Sequence, residues 1–118
     1  MNTEEKNSGL TFGQAIEQLK QGNLVSRDGW NGKKMFLFMR PFDNIDIEMI
    51  PRIKSLPEKV KNYFINEFAN GQTHFESGNP IQVHFCEYIC MKDALGNIVN
   101  GWLASQTDML SEDWKIVG

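Results

Sequence analysis

The C-terminal part of the sequence contains the stretch around which the chain is organised, Asn100-Gly101-Trp102-Leu103-Ala104-Ser105-Gln106-Thr107-Asp108-Met109-Leu110-Ser111-Glu112-Asp113-Trp114. Two tryptophans enclose a tract whose first half is polar. Aromatic faces that stack a flat ligand, beside short polar groups that orient it, are typical of a pocket. The alternative is structural: Thr107 or Asp108 caps a short helical turn over residues 108–112, and Trp114 belongs to the core. Residue types alone leave both interpretations open.

The composition is that of an ordinary globular protein of 118 residues, with 41% hydrophobic and 23% charged residues. This length predicts a single domain over residues 10–118, after a flexible polar N-terminus over residues 1–9. No apolar run reaches the roughly 18 residues of a membrane helix, and the N-terminus is unlike a signal peptide. We therefore expect a cytoplasmic protein that does not bind a membrane.

The two cysteines, Cys86 and Cys90, lie four residues apart in a predicted strand. At about 3.3 Å per residue they are about 13 Å apart, which is too far for a disulfide. No second cysteine pair accompanies them, as a zinc site would require. We expect two buried free thiols, no metal site and no cofactor.

The formal net charge of −3 disfavours binding to a nucleic acid polymer. Residues 27–42 nevertheless contain four cationic side chains and one carboxylate. A local basic patch on an acidic protein suits a small anion. The alternative is that Lys33 and Lys34 simply face solvent.

The N-terminal helix is the clearest element in the sequence. Thr11 and Gln14 form the pattern of a capping box, and Gly22 follows the helix as a left-handed C-terminal residue. One apolar stripe follows the i, i+3, i+4, i+7 spacing and consists of Phe12, Ala15, Ile16 and Leu19. Phe12, at the start of the helix, is a candidate to reach a neighbouring site.

A short strand over residues 23–27 leads into two glycine turns that flank Trp30. Trp30 on such a loop either covers the sheet or provides a stacking surface. Arg27, just before the loop, is a candidate to pair with a phosphate in a bidentate manner.

The remaining pattern predicts the α+β class, with one N-terminal helix packed on a small antiparallel sheet of about five strands. The strands cover residues 35–40, 81–92, the region after residue 98, and 114–117, while residues 42–80 form a helical insertion with a helix over 57–68. Both faces of strand 35–40 are apolar, which predicts burial on two sides. A scaffold of about 70 residues without the insertion is marginally stable alone, so we expect a homo-oligomer.

The sequence contains no catalytic motif. Walker loop, GxGxxG, HExxH and GxSxG patterns are absent. His84 and Cys86 share a strand face about 7 Å apart, beyond the reach of a hydrogen bond. We therefore expect a binding protein and not an enzyme.

Four segments together resemble the second Thoeris anti-defence family of phage and prophage proteins. The resemblance lies in residues 11–15, 27–32 and 35–37 and in the long tract 101–114, and it does not include the insertion. The tract 101–114, with its Gly-Trp-Leu-Ala-Ser-Gln-Thr-Asp-Met-Leu sequence, is the most specific of the four.

The resemblance implies a small α+β protein that assembles into homotetramers from paired dimers. It implies that the protein sequesters, without cleaving them, cyclic ADP-ribose isomers made by bacterial TIR-domain immune enzymes in the host cytoplasm. Some members of that family also hold cyclic dinucleotides at a separate site. Carried over by motif, Trp30 is the stacking residue with Arg27 and Asn31 beside it. The opposite wall consists of Trp102, Gln106, Thr107 and Asp108.

Three alternatives stay open at this stage. The first is a sponge for cyclic dinucleotides, and the second is an enzyme that degrades such nucleotides. The third is a phage structural module without a small ligand. In the last case Trp30 and Trp102 are core or interface residues.

Overall fold

The computed structural model describes residues 6–30 and 34–118. The chain forms two compact units. The first consists of residues up to Pro41 together with Glu87–Gly118, and the second of Phe42–Cys86. Each unit has its own hydrophobic core. The sequence predicted a single domain over residues 10–118 with an insertion over residues 42–80, and these limits stay a prediction.

The first unit begins with helix α1, Phe12–Lys20. The Thr11 hydroxyl accepts a hydrogen bond from the Gln14 backbone, and the Gln14 side chain accepts one from the Thr11 backbone. This reciprocal capping box, and the left-handed Gly22 with φ of 91°, confirm the predicted helix and its ends. Ala15 and Leu19 are its fully buried residues.

Five strands form the antiparallel sheet of this unit: β1 Leu24–Arg27, β2 Phe36–Arg40, β5 Tyr88–Lys92, β6 Ile98–Asn100 and β7 Trp114–Val117. Their order across the sheet is β6-β5-β2-β1-β7. The α+β class with one N-terminal helix and a five-stranded antiparallel sheet is therefore confirmed. A five-residue helix, α3, Gln106–Leu110, lies between β6 and β7.

The sheet has two unlike faces. One face packs in the core with α1 and carries Val25, Leu37, Met91 and Trp114, which are all buried. Because side chains alternate along a strand, the opposite face carries Ser26, Phe36, Phe38 and Lys92. The burial predicted for both faces of β2 is uneven, since Leu37 is fully buried whereas Phe36 and Phe38 are half-buried.

The second unit contains the two-stranded sheet of β3, Asp43–Asp46, and β4, Gln82–Phe85. A 3-10 helix covers Ile47–Arg52, and α2, Glu58–Asn62, continues as a π-helix over Tyr63–Phe68. Its core consists of Ile47, Ile50, Ala69, Ile81 and Val83. Lys61 is buried and donates to the Pro51 carbonyl at 3.2 Å, so the charge has a partner.

Two expectations were wrong in detail. The strand expected over residues 81–92 is interrupted after Phe85, and its halves, β4 and β5, belong to different sheets. Cys90 is buried as expected, but Cys86 lies in the interruption and is exposed. In residues 6–30 and 34–118 no helix is long and apolar enough to cross a membrane.

Candidate functional site

The polar tract that follows Trp102 forms α3, and its N-cap differs from the one in the structural alternative. Ser105 is the N-cap, since its hydroxyl accepts a hydrogen bond from the Asp108 backbone while the Asp108 carboxylate accepts one from the Ser105 backbone. The helix covers Gln106–Leu110, whereas the structural alternative had a turn over residues 108–112 capped by Thr107 or Asp108. The Ser-x-x-Asp pattern is the capping-box signal that would have placed it correctly.

Arg27, at the end of β1, pairs with two carboxylates. Its Nε donates to Asp113 Oδ1 at 3.0 Å, and its Nη1 donates to Asp108 Oδ1 at 3.0 Å. The Nη2 atom donates to the second oxygen of Asp113 at 3.4 Å. The Arg27 and Asp108 side chains are only 17% and 14% exposed. A phosphate at this guanidinium would compete with two carboxylates that are already in place.

The pKa values of this group follow from the same contacts. The hydrogen bond to Asp113 raises the pKa of Arg27, and burial opposes that shift only in part. Burial acts to raise the pKa of Asp108, but the hydrogen bonds from Ser105 and Arg27 outweigh burial and lower it. Both side chains are therefore charged in the folded protein at neutral pH.

Three tryptophans form one aromatic cluster. The rings of Trp30 and Trp102 lie 6.2 Å apart between centroids, and each packs edge-on against Trp114, at 5.4 and 6.3 Å. Phe12 contacts the same buried ring at 5.5 Å. The Trp114 indole nitrogen donates to the Asp108 carbonyl at 2.9 Å, which links the cluster to α3. Edge-to-face geometry of this kind stabilises a core beyond area burial alone.

The structure thus brings together several of the predicted site residues. Trp30 and Trp102 are neighbours, Phe12 touches the ring that both contact, and Arg27 pairs with Asp108. Gln106 and Thr107 are exposed on α3. Asn31 lies outside the described residues. Their assignment to a ligand site stays a prediction.

An open cleft of about 580 Å³ lies in the first unit beside Trp30. Ligand pockets for molecules of nucleotide size have volumes of about 300–1,000 Å³. The cleft is lined by Ser26, Trp30, Lys34, Met35, Phe36, Lys92, Lys115, Ile116 and Val117. Among the predicted site residues that the structure describes, Trp30 alone lines this cleft.

Lysines and aromatic rings characterise the cleft. The Lys92 ammonium donates to the Lys34 carbonyl at 2.9 Å and stands 6.0 Å from the centroid of the Phe36 ring. Lys115 Nζ lies 3.5 Å from Asp28. Three lysines and two aromatic residues line this one open space, a combination that suits a flat, anionic ligand. Within the described ranges no cluster of three or more histidine, cysteine or acidic residues is placed to hold a metal ion.

These features define a class: a small α+β protein whose sheet carries an open cleft of aromatic rings and ammonium groups. Comparison with known proteins gives the family. Residues 10–117 match the model of the Thoeris anti-defense 2-like domain. The chain is also 36% identical over 108 residues to Thoeris anti-defense 2 of Bacillus phage SP01, across 92% of this chain and 94% of that protein. The chain belongs to the Thoeris anti-defense 2-like family.

The comparison confirms the family and corrects its extent. The resemblance in sequence was confined to the segments outside the insertion, but the matched range, residues 10–117, includes residues 42–80 as well. Sequence reasoning also missed the cleft residues Phe36, Lys92 and Lys115. The period-two alternation of β7, with Trp114 and Ile116 on the core face, was the available signal that Lys115 belongs to the other face.

Proposed function

We propose that this protein binds and sequesters a cyclic ADP-ribose-type nucleotide, made by a TIR-domain immune enzyme, in the cytoplasm of a bacterial host. Membership of an anti-defence family and a curated relative from a phage support this role. The main observation in support of the proposal is the cleft, which is lined by Trp30 and Phe36 together with Lys34, Lys92 and Lys115.

The ligand chemistry matches this lining. A cyclic ADP-ribose contains an adenine ring that can stack and two phosphates that carry negative charge. Aromatic stacking contributes about 1–3 kcal/mol per base, and charge-assisted hydrogen bonds to phosphate add to it. A sequestering protein must compete with the effector for its ligand, so side chains already held in place are an advantage.

Binding without cleavage is favoured by the same lining. Hydrolysis needs a nucleophile or a general base within hydrogen-bond reach of the reacting bond. Among the described residues that line the cleft, none carries a carboxylate, imidazole or thiol group. The hydroxyl of Ser26 has no adjacent base in that lining.

Release of captured ligand provides the test. The protein is incubated with the product of a TIR enzyme, freed of unbound nucleotide and heat-denatured, and the released molecules are identified by mass spectrometry. We expect an intact cyclic ADP-ribose isomer in near-stoichiometric amount. A chemically altered nucleotide would indicate an enzyme, a preference for added cyclic dinucleotides would indicate the other kind of sponge, and no captured ligand would reject the proposal.

We further propose a homo-oligomer, in the form of a tetramer built from dimers. Large apolar side chains at and before α3 support it, because Leu103 is 89% exposed and Leu110 is 77% exposed. Size-exclusion chromatography with light scattering should give four times the chain mass of 13.5 kDa. A monomeric mass at micromolar concentration would contradict the assembly without bearing on ligand capture.

A further inference from the structure

One row of the sheet crosses four neighbouring strands, β5, β2, β1 and β7, and consists of Lys92, Phe36, Ser26 and Lys115. Lys92 pairs with Phe36, and Ser26 pairs with Lys115. The antiparallel pairing of Val25 with Leu37 places Ser26 opposite Phe36 and so joins the two pairs. Residues directly opposite one another in a sheet point to the same face. The row therefore presents an ammonium group at each end, with a ring and a hydroxyl between them.

Each of the two ammonium groups of this row has an oxygen partner. The Lys92 group contacts the Lys34 carbonyl at 2.9 Å, and the Lys115 group lies 3.5 Å from the Asp28 carboxylate. Lys92 and Lys115 are both partly buried, which limits the freedom of their side chains. Fixed cations bind an anion with a smaller loss of conformational entropy than mobile surface lysines do.

The spacing of the row suits a ligand with more than one negative charge. Neighbouring strands are about 4.8 Å apart, so the backbones of Lys92 and Lys115 are separated by about 14 Å across three strand intervals. Two lysine side chains that lean inward can both reach a diphosphate group above the middle of the row. Ser26 is the shortest side chain of the row and lines the cleft between the two lysines.

We propose that Lys92 and Lys115 bind the diphosphate of the ligand from opposite ends of this row, while Phe36 and Trp30 contact its base. This deepens the proposed function and rests on it for the identity of the nucleotide. It assigns a specificity to the cleft: nucleotides with two phosphates are preferred over those with one. Cyclic ADP-ribose should therefore bind at least about tenfold more tightly than 3′,5′-cyclic AMP, since one charge-assisted contact is lost in the latter.

Calorimetric titration of the full chain tests this assignment. Lys92→Gln and Lys115→Gln should each weaken cyclic ADP-ribose binding by about tenfold, and the double variant by more, because each removes one cation from the diphosphate. Lys20→Gln is the matched control, since this lysine is exposed on α1 and pairs with Glu17. Lys92→Arg and Lys115→Arg keep the charge and should restore most of the affinity, which a merely structural role would not predict.

A second probe separates this assignment from the identity of the nucleotide. Inorganic pyrophosphate should bind the wild-type protein weakly, with an affinity that falls as salt rises, and the double variant should not bind it. If the double variant binds cyclic ADP-ribose and pyrophosphate as the wild type does, the assignment is wrong while the proposed function stands. If pyrophosphate depends on both lysines but no cyclic ADP-ribose is captured, the assignment stands and the proposed function fails.

Discussion

At the scale of single residues, the tryptophans show what residue type predicts and what it leaves open. The family resemblance placed Trp30 and Trp102 on two walls of one site, but it did not indicate which ring faces an open space. Both rings pack against the buried Trp114, and only Trp30, of these three, also lines the cleft. The orientation of each ring depends on the backbone geometry of its loop, which residue type does not reveal.

Trp30→Ala and Trp102→Ala form a matched pair of variants that uses this difference. Each removes one edge-to-face contact with Trp114, so each should lower the free energy of unfolding by about 1–3 kcal/mol. Affinity for cyclic ADP-ribose should fall at least about tenfold in the Trp30 variant, because a base-stacking ring is lost. It should change little in the Trp102 variant. Calorimetry on the folded variants measures this, and equal losses would mean that Trp102 forms part of the site.

Arg27 is the residue whose predicted role the contacts argue against most directly. An arginine beside a glycine turn is typical of phosphate recognition, yet all its nitrogens with assigned hydrogen bonds donate to Asp108 and Asp113. The two acidic partners stand more than 80 positions away in the sequence. Their proximity follows from the pairing of β1 with β7, which a single sequence does not reveal.

Arg27→Met should therefore act on stability and not on binding. It leaves two partly buried carboxylates without their cation, and the expected cost is about 2–3 kcal/mol in urea denaturation. The control Lys20→Met breaks an exposed ion pair and should cost less than about 0.5 kcal/mol. Ligand affinity measured under conditions where Arg27→Met is fully folded should stay near the wild-type value. A tenfold or greater loss of ligand affinity under those conditions would show that Arg27 belongs to the ligand site.

At the scale of elements, α1 and α3 differ in how well the sequence predicted them. The predicted α1 is correct to within a residue because its capping box and its apolar stripe agree. The α3 helix has five residues and none of them is buried, so it offers no stripe to detect. It is held by polar contacts instead, of which Asp108 makes several: the capping box with Ser105 and the ion pair with Arg27.

This dependence on one carboxylate predicts a pH effect on α3. The pKa of Asp108 in the folded protein is lowered from its ordinary value of 3.8, so its contribution to stability is present above that value. The contribution is lost as pH falls through the lowered folded-state pKa. Asp108→Asn should therefore be less stable than wild type by about 1–2 kcal/mol at neutral pH, and the gap should close below about pH 4. Denaturation curves across this range measure the gap, and a gap independent of pH would assign the effect to shape and not to charge.

At the scale of the whole molecule, the register of the larger sheet explains how the insertion is accommodated. Arg40, the last residue of β2, pairs with Tyr88, the first residue of β5. The two strands are therefore the arms of an antiparallel hairpin whose connection consists of residues 41–87. The sequence predicted an insertion at this place from the change of character at Pro41. The predicted limits of this insertion, residues 42–80, stay a prediction.

A hairpin of this register can be closed by a two-residue turn, which yields the last prediction. A variant in which Asn-Gly replaces residues 41–87 supplies the turn that two-residue hairpins prefer. The first unit should fold in this variant, because its core and all five of its strands lie outside the deleted segment. We expect a cooperative thermal transition at a lower temperature than that of the full chain, since a scaffold of about 70 residues is marginal without assembly.

Binding by the shortened chain then decides whether the second unit contributes to ligand capture. The residues that line the cleft beside Trp30 all belong to the first unit, so affinity for cyclic ADP-ribose should stay within about threefold of the full-chain value, a change of less than about 1 kcal/mol. Circular dichroism and the mass from light scattering provide the control that the fold and the assembly persist. A folded, correctly assembled variant that no longer binds the nucleotide would show that residues 42–86 complete the site.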